Sequence, residues 1–193
     1  MFDRSRPGLQ ISPLSRGYPA AEPLFAGGAV SFRPMTAFDA EKLRTFLNEL
    51  TDKSRRERFL RPVSEVPDYL LRTLSRLDGR RHVAFMAEVS TQGSKRMVGE
   101  ARYVVDPERP SEAEFALAVD DRWRGRGIAA RLMETLEDRA RAAGLHRLFS
   151  DTLEDNHAML GLARRRGFAV MANRREAGVK RLVKDLVASR ALH

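Results

Sequence analysis

A short turn that carries arginine and glycine, residues 124–129 (RGRGIA), constrains the fold of this chain more than any other stretch. Residues 113–119 before it (AEFALAV) have the pattern of a β-strand, and apolar residues recur at helical spacing from Ile128 to Ala140. A glycine turn that opens a helix leaves backbone N–H groups without partners at the positive end of the helix dipole. The sequence therefore predicts a strand–turn–helix unit that binds a phosphate or pyrophosphate.

The same turn does not fit two other phosphate motifs. It lacks the Lys-Ser/Thr ending of a Walker loop, which argues against hydrolysis of a magnesium nucleotide. Its close glycines are Gly125 and Gly127, while position 130 is alanine, so the G-x-G-x-x-G spacing of a dinucleotide site is incomplete. A purely structural interpretation stays open, because glycines often serve only to make a turn tight.

Composition limits the classes of protein to which the chain can belong. Its 193 residues suffice for one domain with a sizeable core. The absence of cysteine excludes disulfides and thiol chemistry, and the four histidines lack zinc-site spacing, so we expect no metal. No run of about 18 apolar residues predicts a membrane span, and no secretory leader is evident. We therefore expect a cytoplasmic protein with no membrane association.

The net charge of +9 is compatible with an anionic ligand or with nucleic acid. Most of the positive charge is arginine, which is spread along the chain and mixed with acidic residues. Aromatic residues do not alternate with these arginines, as they would on a surface that stacks bases. Nucleic acid is therefore the weaker interpretation.

The chain divides into a tail and one domain. Residues 1–28 are rich in proline and glycine, which predicts an extended or disordered tail. Such a tail can pack on the domain or cross to a second subunit, so a homodimer stays open. Residues 29–193 form the predicted domain: a first strand, two helical regions, three strands, a helix, a strand, a helix and two strands. This order predicts a mixed α/β fold.

This order of elements resembles the GNAT acyltransferase superfamily over residues 29–187. The family signature Arg/Gln-x-x-Gly-x-Gly/Ala is matched by residues 124–129, and Asn156 is followed eleven and twelve residues later by Gly167 and Phe168, a junction typical of the family. The resemblance implies a single GNAT-type domain with a central, mostly antiparallel, twisted sheet flanked by helices. It also implies an acyl-CoA-dependent N-acetyltransferase with acetyl-CoA as the donor.

The resemblance assigns the cofactor to the turn and its neighbours. The turn would hold the pyrophosphate, the preceding strand would pair with the pantetheine arm, and Arg122 or Arg124 would reach a further phosphate. Asn156 would hydrogen-bond the arm, although asparagine also caps helices well, and the two roles are compatible. The cofactor-binding residues implied are Val119, Arg124, Gly125, Arg126, Gly127, Ile128, Ala129 and Asn156.

Acylation of an amine also needs a base, because an ammonium with a pKa of about 10 must lose a proton. Glu114 is the first candidate, since it lies on the strand implied to border the thioester and its apolar neighbours would raise the pKa of its carboxyl. The alternative is that Glu114 simply faces solvent. Glu100, on the preceding strand, is the second candidate.

Protonation of the leaving thiolate is less well defined by the sequence. Many GNAT enzymes have a tyrosine seven residues after the motif asparagine, and here that position is Ala163. Tyr103, His157 or a water would have to substitute. The resemblance also implies that a backbone N–H group near Val119 stabilises the oxyanion.

Finer details resemble the catalytic domain of bacterial Pat-type protein lysine acetyltransferases, in residues 54–59 (SRRERF), 98–103 (VGEARY), 113–116 (AEFA) and 156–160. This resemblance implies a protein lysine as the acceptor. Two alternatives stay open, a small-molecule amine acetyltransferase and a CoA-binding sensor or interaction module without turnover. Eight arginines of the expected acceptor region would suit an acidic acceptor: Arg55, Arg56, Arg58, Arg61, Arg72, Arg76, Arg80 and Arg81.

Overall fold

The computed structural model describes residues 22–25, 28–91 and 94–186 of the chain. Its α-helices are α1 (Ala40–Glu49), α2 (Asp52–Phe59), α3 (Asp68–Leu74), α4 (Ile128–Ala142) and α5 (His157–Arg165). Its strands are β1 (Glu22–Phe25), β2 (Gly28–Pro34), β3 (His82–Thr91), β4 (Ser94–Val105), β5 (Glu112–Val119), β6 (Arg147–Leu153), β7 (Ala169–Ala172) and β8 (Val179–Asp185). Short 3-10 turns, Ala37–Asp39 and Asp121–Trp123, precede α1 and α4.

One eight-stranded sheet connects these elements in the order β1-β2-β3-β4-β5-β6-β8-β7. Every neighbouring pair is antiparallel except β5 and β6, which are parallel. The predicted mixed α/β class with a mostly antiparallel sheet is therefore confirmed. Within the described ranges, no helix has the length and apolar character needed to cross a membrane.

Each face of the sheet is covered by its own hydrophobic core. Because strand side chains alternate between faces, Phe115 and Val119 of β5 belong to the core beneath α4, whereas Ala118 belongs to the core beneath α1 and α3. The apolar stripe predicted for the helix after the turn is buried as expected, from Ile128 to Ala140. The sheet thus fixes where α4 begins, at the end of β5.

Gly99 of β4 sets how closely α4 approaches the sheet. A Cβ atom on Gly99 would lie 3.1 Å from Leu132 Cδ1, 3.3 Å from Ile128 Cγ2 and 3.3 Å from the Ala118 carbonyl oxygen. These distances are shorter than ordinary van der Waals contact. The missing side chain therefore allows the first turns of α4 to pack directly on β4.

The structure differs from the sequence prediction in the part of the chain that precedes β3. Phe38, just before the first helix, lies in the 3-10 turn and is 99% exposed. The second helical region is two short helices, since Leu60 adopts a left-handed conformation (φ 59°) and ends α2. Residues 22–25 of the predicted tail form β1 against β2, and most of the tail lies outside the described residues. The boundary at residue 28 stays a prediction.

Candidate active site

A cleft opens where two neighbouring strands diverge. β5 and β6 pair only between residues 112–114 and 147–149. Beyond these pairs, residues 116–119 of β5 and 150–152 of β6 line a cleft of about 430 Å³, a volume typical of small-molecule sites. Among the described residues, the β5 backbone groups that point into the gap have no strand partner. They are available to pair with an extended ligand.

The predicted phosphate turn forms one wall of this cleft. Gly125 and Gly127 have φ angles of 75° and 79°, a left-handed conformation that glycine adopts without strain. α4 begins at Ile128, and within the described chain no side chain caps its first turn. Ile128 and Ala129 line the cleft. The N–H groups at the positive end of α4 are therefore presented to it, which fits a pyrophosphate.

Two arginines of this turn are engaged by the protein itself. Arg124 Nη2 donates to Ser54 Oγ (2.8 Å) and to Glu57 Oε2 (3.1 Å) of α2. Arg122 donates to both carboxylate oxygens of Asp120, at 3.0 and 2.7 Å. In this conformation neither guanidinium points to a phosphate, so contacts with an anion fall to the backbone N–H groups of the turn.

Two further arginines flank the cleft. The guanidinium of Arg126 lies over the ring of Trp123, 4.9 Å from its centroid, and Trp123 lines the cleft. Arg165, at the end of α5, also lines the cleft and was missed by the sequence analysis. It stands in a run of three arginines, and nothing in the sequence distinguishes it from Arg164 and Arg166.

Asn156 caps α5, as one of its two predicted roles requires. Its Oδ1 accepts a hydrogen bond from the backbone N–H of Met159 at 3.0 Å. Both residues also line the cleft. Because the cap uses only the oxygen, the amide N–H₂ group of Asn156 stays available as a donor to a ligand there.

Glu114 lies where β5 and β6 part, paired with Phe149. Strand alternation places Glu114 on the same sheet face as Asp151 of β6 and Arg181 of β8. The side chain reaches solvent, yet the surrounding protein desolvates its carboxyl. This desolvation, assisted by the nearby Asp151, raises the pKa of Glu114 against the opposing effect of Arg181 and Arg58. Glu114 is adjacent to the lining of the cleft, and the direction of its pKa shift suits a general base.

Glu100, the second predicted base, is fully buried on β4 and fully engaged. Its Oε1 accepts from Arg58 Nε at 3.0 Å, and its Oε2 is bound by Arg102. Burial alone would raise the pKa of Glu100, but Arg102 and Arg58 outweigh this effect and lower it. A buried carboxylate held by two guanidinium groups is a poor proton acceptor. Glu100 instead holds the side chain of Arg58, which lines the cleft.

Neither predicted proton donor is among the residues that line the cleft. Tyr103 is buried on the α4 side of the sheet, and its hydroxyl donates to the Arg80 carbonyl at 3.4 Å. His157 is exposed at the start of α5, and Ala163 is buried in the core. No group of three or more acidic or histidine side chains in the described ranges is arranged to hold a metal ion.

The arginines expected to attract an acidic acceptor have different roles. Arg55 is buried and binds the backbone carbonyls of residues 48, 50 and 63, so it stabilises the bend after α1. Arg56 forms an ion pair with Asp155 at 3.0 Å. Only Arg58 of the eight lines the cleft, with 8% of its side chain exposed. The sequence indicated the stretch but not which arginine faces inward.

A family model described as the Acetyltransferase (GNAT) family matches residues 45–168. This segment contains α2, both strands that line the cleft, the turn and α5. Acetyltransferase PA5475 of Pseudomonas aeruginosa is 36% identical over 115 residues, which make up 60% of this chain and 61% of that relative. The match therefore spans about three fifths of the relative's length.

Solved structures share the same fold. The GNAT domain of PAT from S. lividans has a TM-score of 0.75 at 28% identity, covering 88% of this chain and 99% of that domain. The structure of yncA from Salmonella typhimurium with its cofactor acetyl-CoA has a TM-score of 0.67 at 17% identity, covering 84% of this chain and 96% of that one. At its lower identity, the second comparison concerns the fold alone.

Proposed function

The chain belongs to the acetyltransferase (GNAT) family, and from this premise we propose that it transfers an acetyl group from acetyl-CoA to the side-chain amine of a protein lysine. One observation carries the proposal. The cleft between β5 and β6 runs from the uncapped N-terminus of α4 to the point where the pairing of β5 with β6 ends. Glu114 lies at this point, and the pKa of its carboxyl is raised.

The cofactor fits the cleft in an extended form. The N–H groups of residues 127–130 bind the pyrophosphate, and the open backbone edge of β5 up to Val119 binds the pantetheine arm. The amide of Asn156 donates to the same arm from the opposite side. Arg124 and Arg126 flank the turn and contribute positive charge rather than a fixed phosphate contact. This arrangement places the thioester beside the β5–β6 junction.

Glu114 supplies the base. Directly or through a water, its carboxylate accepts a proton from the lysine ammonium, whose ordinary pKa of about 10.4 leaves it charged near neutral pH. The neutral nitrogen attacks the thioester carbonyl carbon of acetyl-CoA, a C–N bond forms and the C–S bond breaks, and the nitrogen gives its extra proton to water. The thiolate takes its proton from water, because neither Tyr103 nor His157 lines the cleft. Glu100 acts as a positioning residue that holds Arg58.

Two observations support a protein lysine as the acceptor. The chain is 28% identical to the GNAT domain of S. lividans PAT over most of both chains. The net charge of +9 also favours a lysine surrounded by acidic residues, although Arg58 and Arg181 near the proposed entrance are already paired with Glu100 and Asp151.

Thiol release from acetyl-CoA tests the proposal. The acceptors are lysine peptides with acidic flanks, the same peptides with neutral flanks, and simple amines. We expect acidic peptides to react fastest. Glu114→Gln should lower kcat by about 10²-fold with little change in the Kd for CoA, since the base contributes to chemistry and not to cofactor binding. Glu112→Gln, on the same strand, is the control.

Three other outcomes would each contradict one part of the proposal. Unchanged turnover in Glu114→Gln would remove Glu114 from the role of base. Faster reaction with simple amines than with any peptide would identify a small-molecule acetyltransferase. Binding of acetyl-CoA without thiol release for any acceptor would identify a sensor, a function that the alanine at position 163 would suit.

A further inference from the structure

A second concave surface lies at the other end of α4. It has a volume of about 470 Å³, and we name it the basic depression. At a rise of 1.5 Å per residue, Arg139 lies about 16 Å along α4 from Ile128, so the depression is separate from the cleft. The residues that line it are Arg80, Arg81, Val105, Pro110, Arg139, Ala143 and Leu145.

The loop that carries Arg80 and Arg81 is held by a single carboxylate oxygen. Oδ1 of Asp78 accepts hydrogen bonds from the backbone N–H groups of Arg80, Arg81 and His82, at 2.8, 2.8 and 2.9 Å. All three amides are therefore used within the loop. The two arginines are presented from a fixed backbone.

The carbonyl groups of the loop are held from the other side. Arg139 Nη2 donates to the carbonyl of Gly79 at 2.6 Å, and Val105 N–H donates to the carbonyl of Arg81 at 2.7 Å. The buried hydroxyl of Tyr103 reaches the carbonyl of Arg80. Tyr103 thus supports this loop from beneath.

The loop carries one negative charge, Asp78, and two positive charges, Arg80 and Arg81. The side chains of Arg80 and Arg81 are exposed, and the structure records no ion pair for either among the described residues. By contrast, the exposed arginines Arg44, Arg109 and Arg147 each bind at least one carboxylate. The depression therefore combines three arginines with an apolar floor of Val105, Pro110 and Leu145.

We propose that the basic depression binds an acidic segment of a protein partner. A phosphate site would offer backbone N–H groups or a helix N-terminus, whereas here Asp78 occupies the N–H groups and the nearest helix end is the C-terminus of α4. Separate carboxylates can bind the flexible guanidinium groups bidentately. An apolar residue of the partner, placed between two such carboxylates, contacts the apolar floor of the depression.

Nucleic acid fits less well, because none of the lining residues is aromatic and bases would have no side chain on which to stack. The proposal is independent of the acetyl-transfer chemistry, since the depression shares no lining residue with the cleft. A binding assay with a ligand that cannot be acetylated therefore tests it separately.

The probe is a fluorescein-labelled, lysine-free peptide of Glu-Glu-Leu repeats, and the readout is fluorescence anisotropy on the full chain at low salt. The double variant Arg80→Gln/Arg81→Gln should bind about tenfold more weakly, because it loses two exposed ion pairs with the peptide. The control Arg174→Gln/Arg175→Gln removes the same charge from exposed positions elsewhere and should bind like the wild type.

A neutral Gln-Gln-Leu peptide should not bind, and thermal melting should show both double variants folded, since all four side chains are exposed. Equal weakening in the two double variants would mean that only net charge matters, and would overturn the proposal. So would unchanged binding in the Arg80/Arg81 variant, or a single-stranded oligonucleotide or tripolyphosphate that binds more tightly than the acidic peptide and loses that binding in the Arg80/Arg81 variant.

Discussion

Charged side chains of both signs lie near the carboxyl of Glu114 and act on it in opposite directions. Asp151 raises its pKa, whereas Arg181 and Arg58 lower it, and desolvation is the largest effect. Asp151 and Arg181 also bind each other through two hydrogen bonds of 2.6 and 2.7 Å. The protonation of Glu114 therefore depends on the salt bridge between Asp151 and Arg181, of which Glu114 is not a member.

This arrangement predicts the pH dependence of catalysis. The base works only when deprotonated, so kcat/KM should fall as the pH drops through a pKa above the ordinary glutamate value. Asp151→Asn removes a negative charge and should move the acidic limb of the kcat/KM profile to lower pH. Arg181→Gln removes a positive charge and should move that limb to higher pH. Asp185→Asn, an exposed carboxylate of the same β8, is the control. Shifts in the same direction, or none, would contradict the electrostatic account.

Gly99 is the residue on which the position of α4 depends most directly. In Gly99→Ala the new methyl group would press on Leu132 and Ile128, so we expect a loss of about 1–3 kcal/mol in the free energy of unfolding. The displaced helix N-terminus should also weaken CoA binding. Denaturant melts and CoA titration measure the two effects.

Gly161→Ala provides the comparison for Gly99. There the added methyl group meets only the end of the flexible Arg165 side chain, at 3.3 Å. Helix propensity should then raise stability by up to about 1 kcal/mol. A loss at residue 161 equal to that at residue 99 would show that the close approach of α4 is not the cause.

Sequence reasoning succeeded at residues whose role is local. The glycines of the turn and the cap at Asn156 follow from short spacings, and the structure places both on the cleft. It missed contacts between distant segments, such as Arg124 with Ser54 and Glu57, which are more than sixty residues away. Such pairs depend on how α2 packs over the sheet, and no local pattern encodes that.

At the scale of elements, α4 is joined to the C-terminal part of the sheet through one buried carboxylate. Glu137 of α4 is fully buried and binds Arg166 Nε and Lys184 Nζ, each at 2.7 Å. Although burial opposes ionisation, Arg166 and Lys184 lower the pKa of Glu137. One side chain thus connects α4, the end of α5 and β8.

We predict that Glu137→Gln lowers the free energy of unfolding by about 3–5 kcal/mol at neutral pH, because Arg166, Lys184 and Arg141 lose a buried partner. The folded pKa is lowered, so this stabilisation is present above the unfolded pKa and is lost as the pH falls through the folded value. The difference from the wild type should therefore shrink in acid. Glu134→Gln, whose side chain is 45% exposed, is the control. A pH-independent deficit would point to packing instead.

The elements themselves were well anticipated from periodicity, with α4 as the clearest example. The second helical region was not, because its interruption depends on the left-handed conformation of Leu60, a residue type that rarely adopts it. β1 was also not predicted, because this segment forms a strand by pairing with β2 at the edge of the sheet, and its sequence alone does not show that pairing.

At the scale of the whole molecule, the sheet consists of two parts joined by few residues. Between the β1–β5 part and the β6–β8 part, direct strand pairing covers three residues on each side. A ligand that lies along β5 and contacts Asn156 would bridge the two parts. Ligand binding should therefore stabilise the entire fold.

We expect CoA at about 100 times its Kd to raise stability by about 2.7 kcal/mol and Tm by about 5–10 °C. Gly127→Asp should abolish this shift, through repulsion of phosphate and the strain of a non-glycine residue at φ 79°. Glu114→Gln should keep it. Differential scanning fluorimetry with and without CoA measures all three, and a full shift in Gly127→Asp would contradict the assignment of the turn.

The family and the cofactor were accessible from two short motifs, whereas the electrostatic surroundings of Glu114 were not. Those surroundings need Asp151 and Arg181, which meet only because β8 inserts beside β6. Strand order in a sheet is set by long-range packing, and the sequence shows only that the strands exist.

The insertion of β8 between β6 and β7 has a consequence for synthesis on the ribosome. β7 pairs only with β8 among the described strands, so it cannot join the sheet until residues 179–185 have emerged. Arg181 arrives with them. A nascent chain can thus complete the phosphate turn early, but it acquires Arg181, one of the charges that tune its proposed base, only after β8 has emerged.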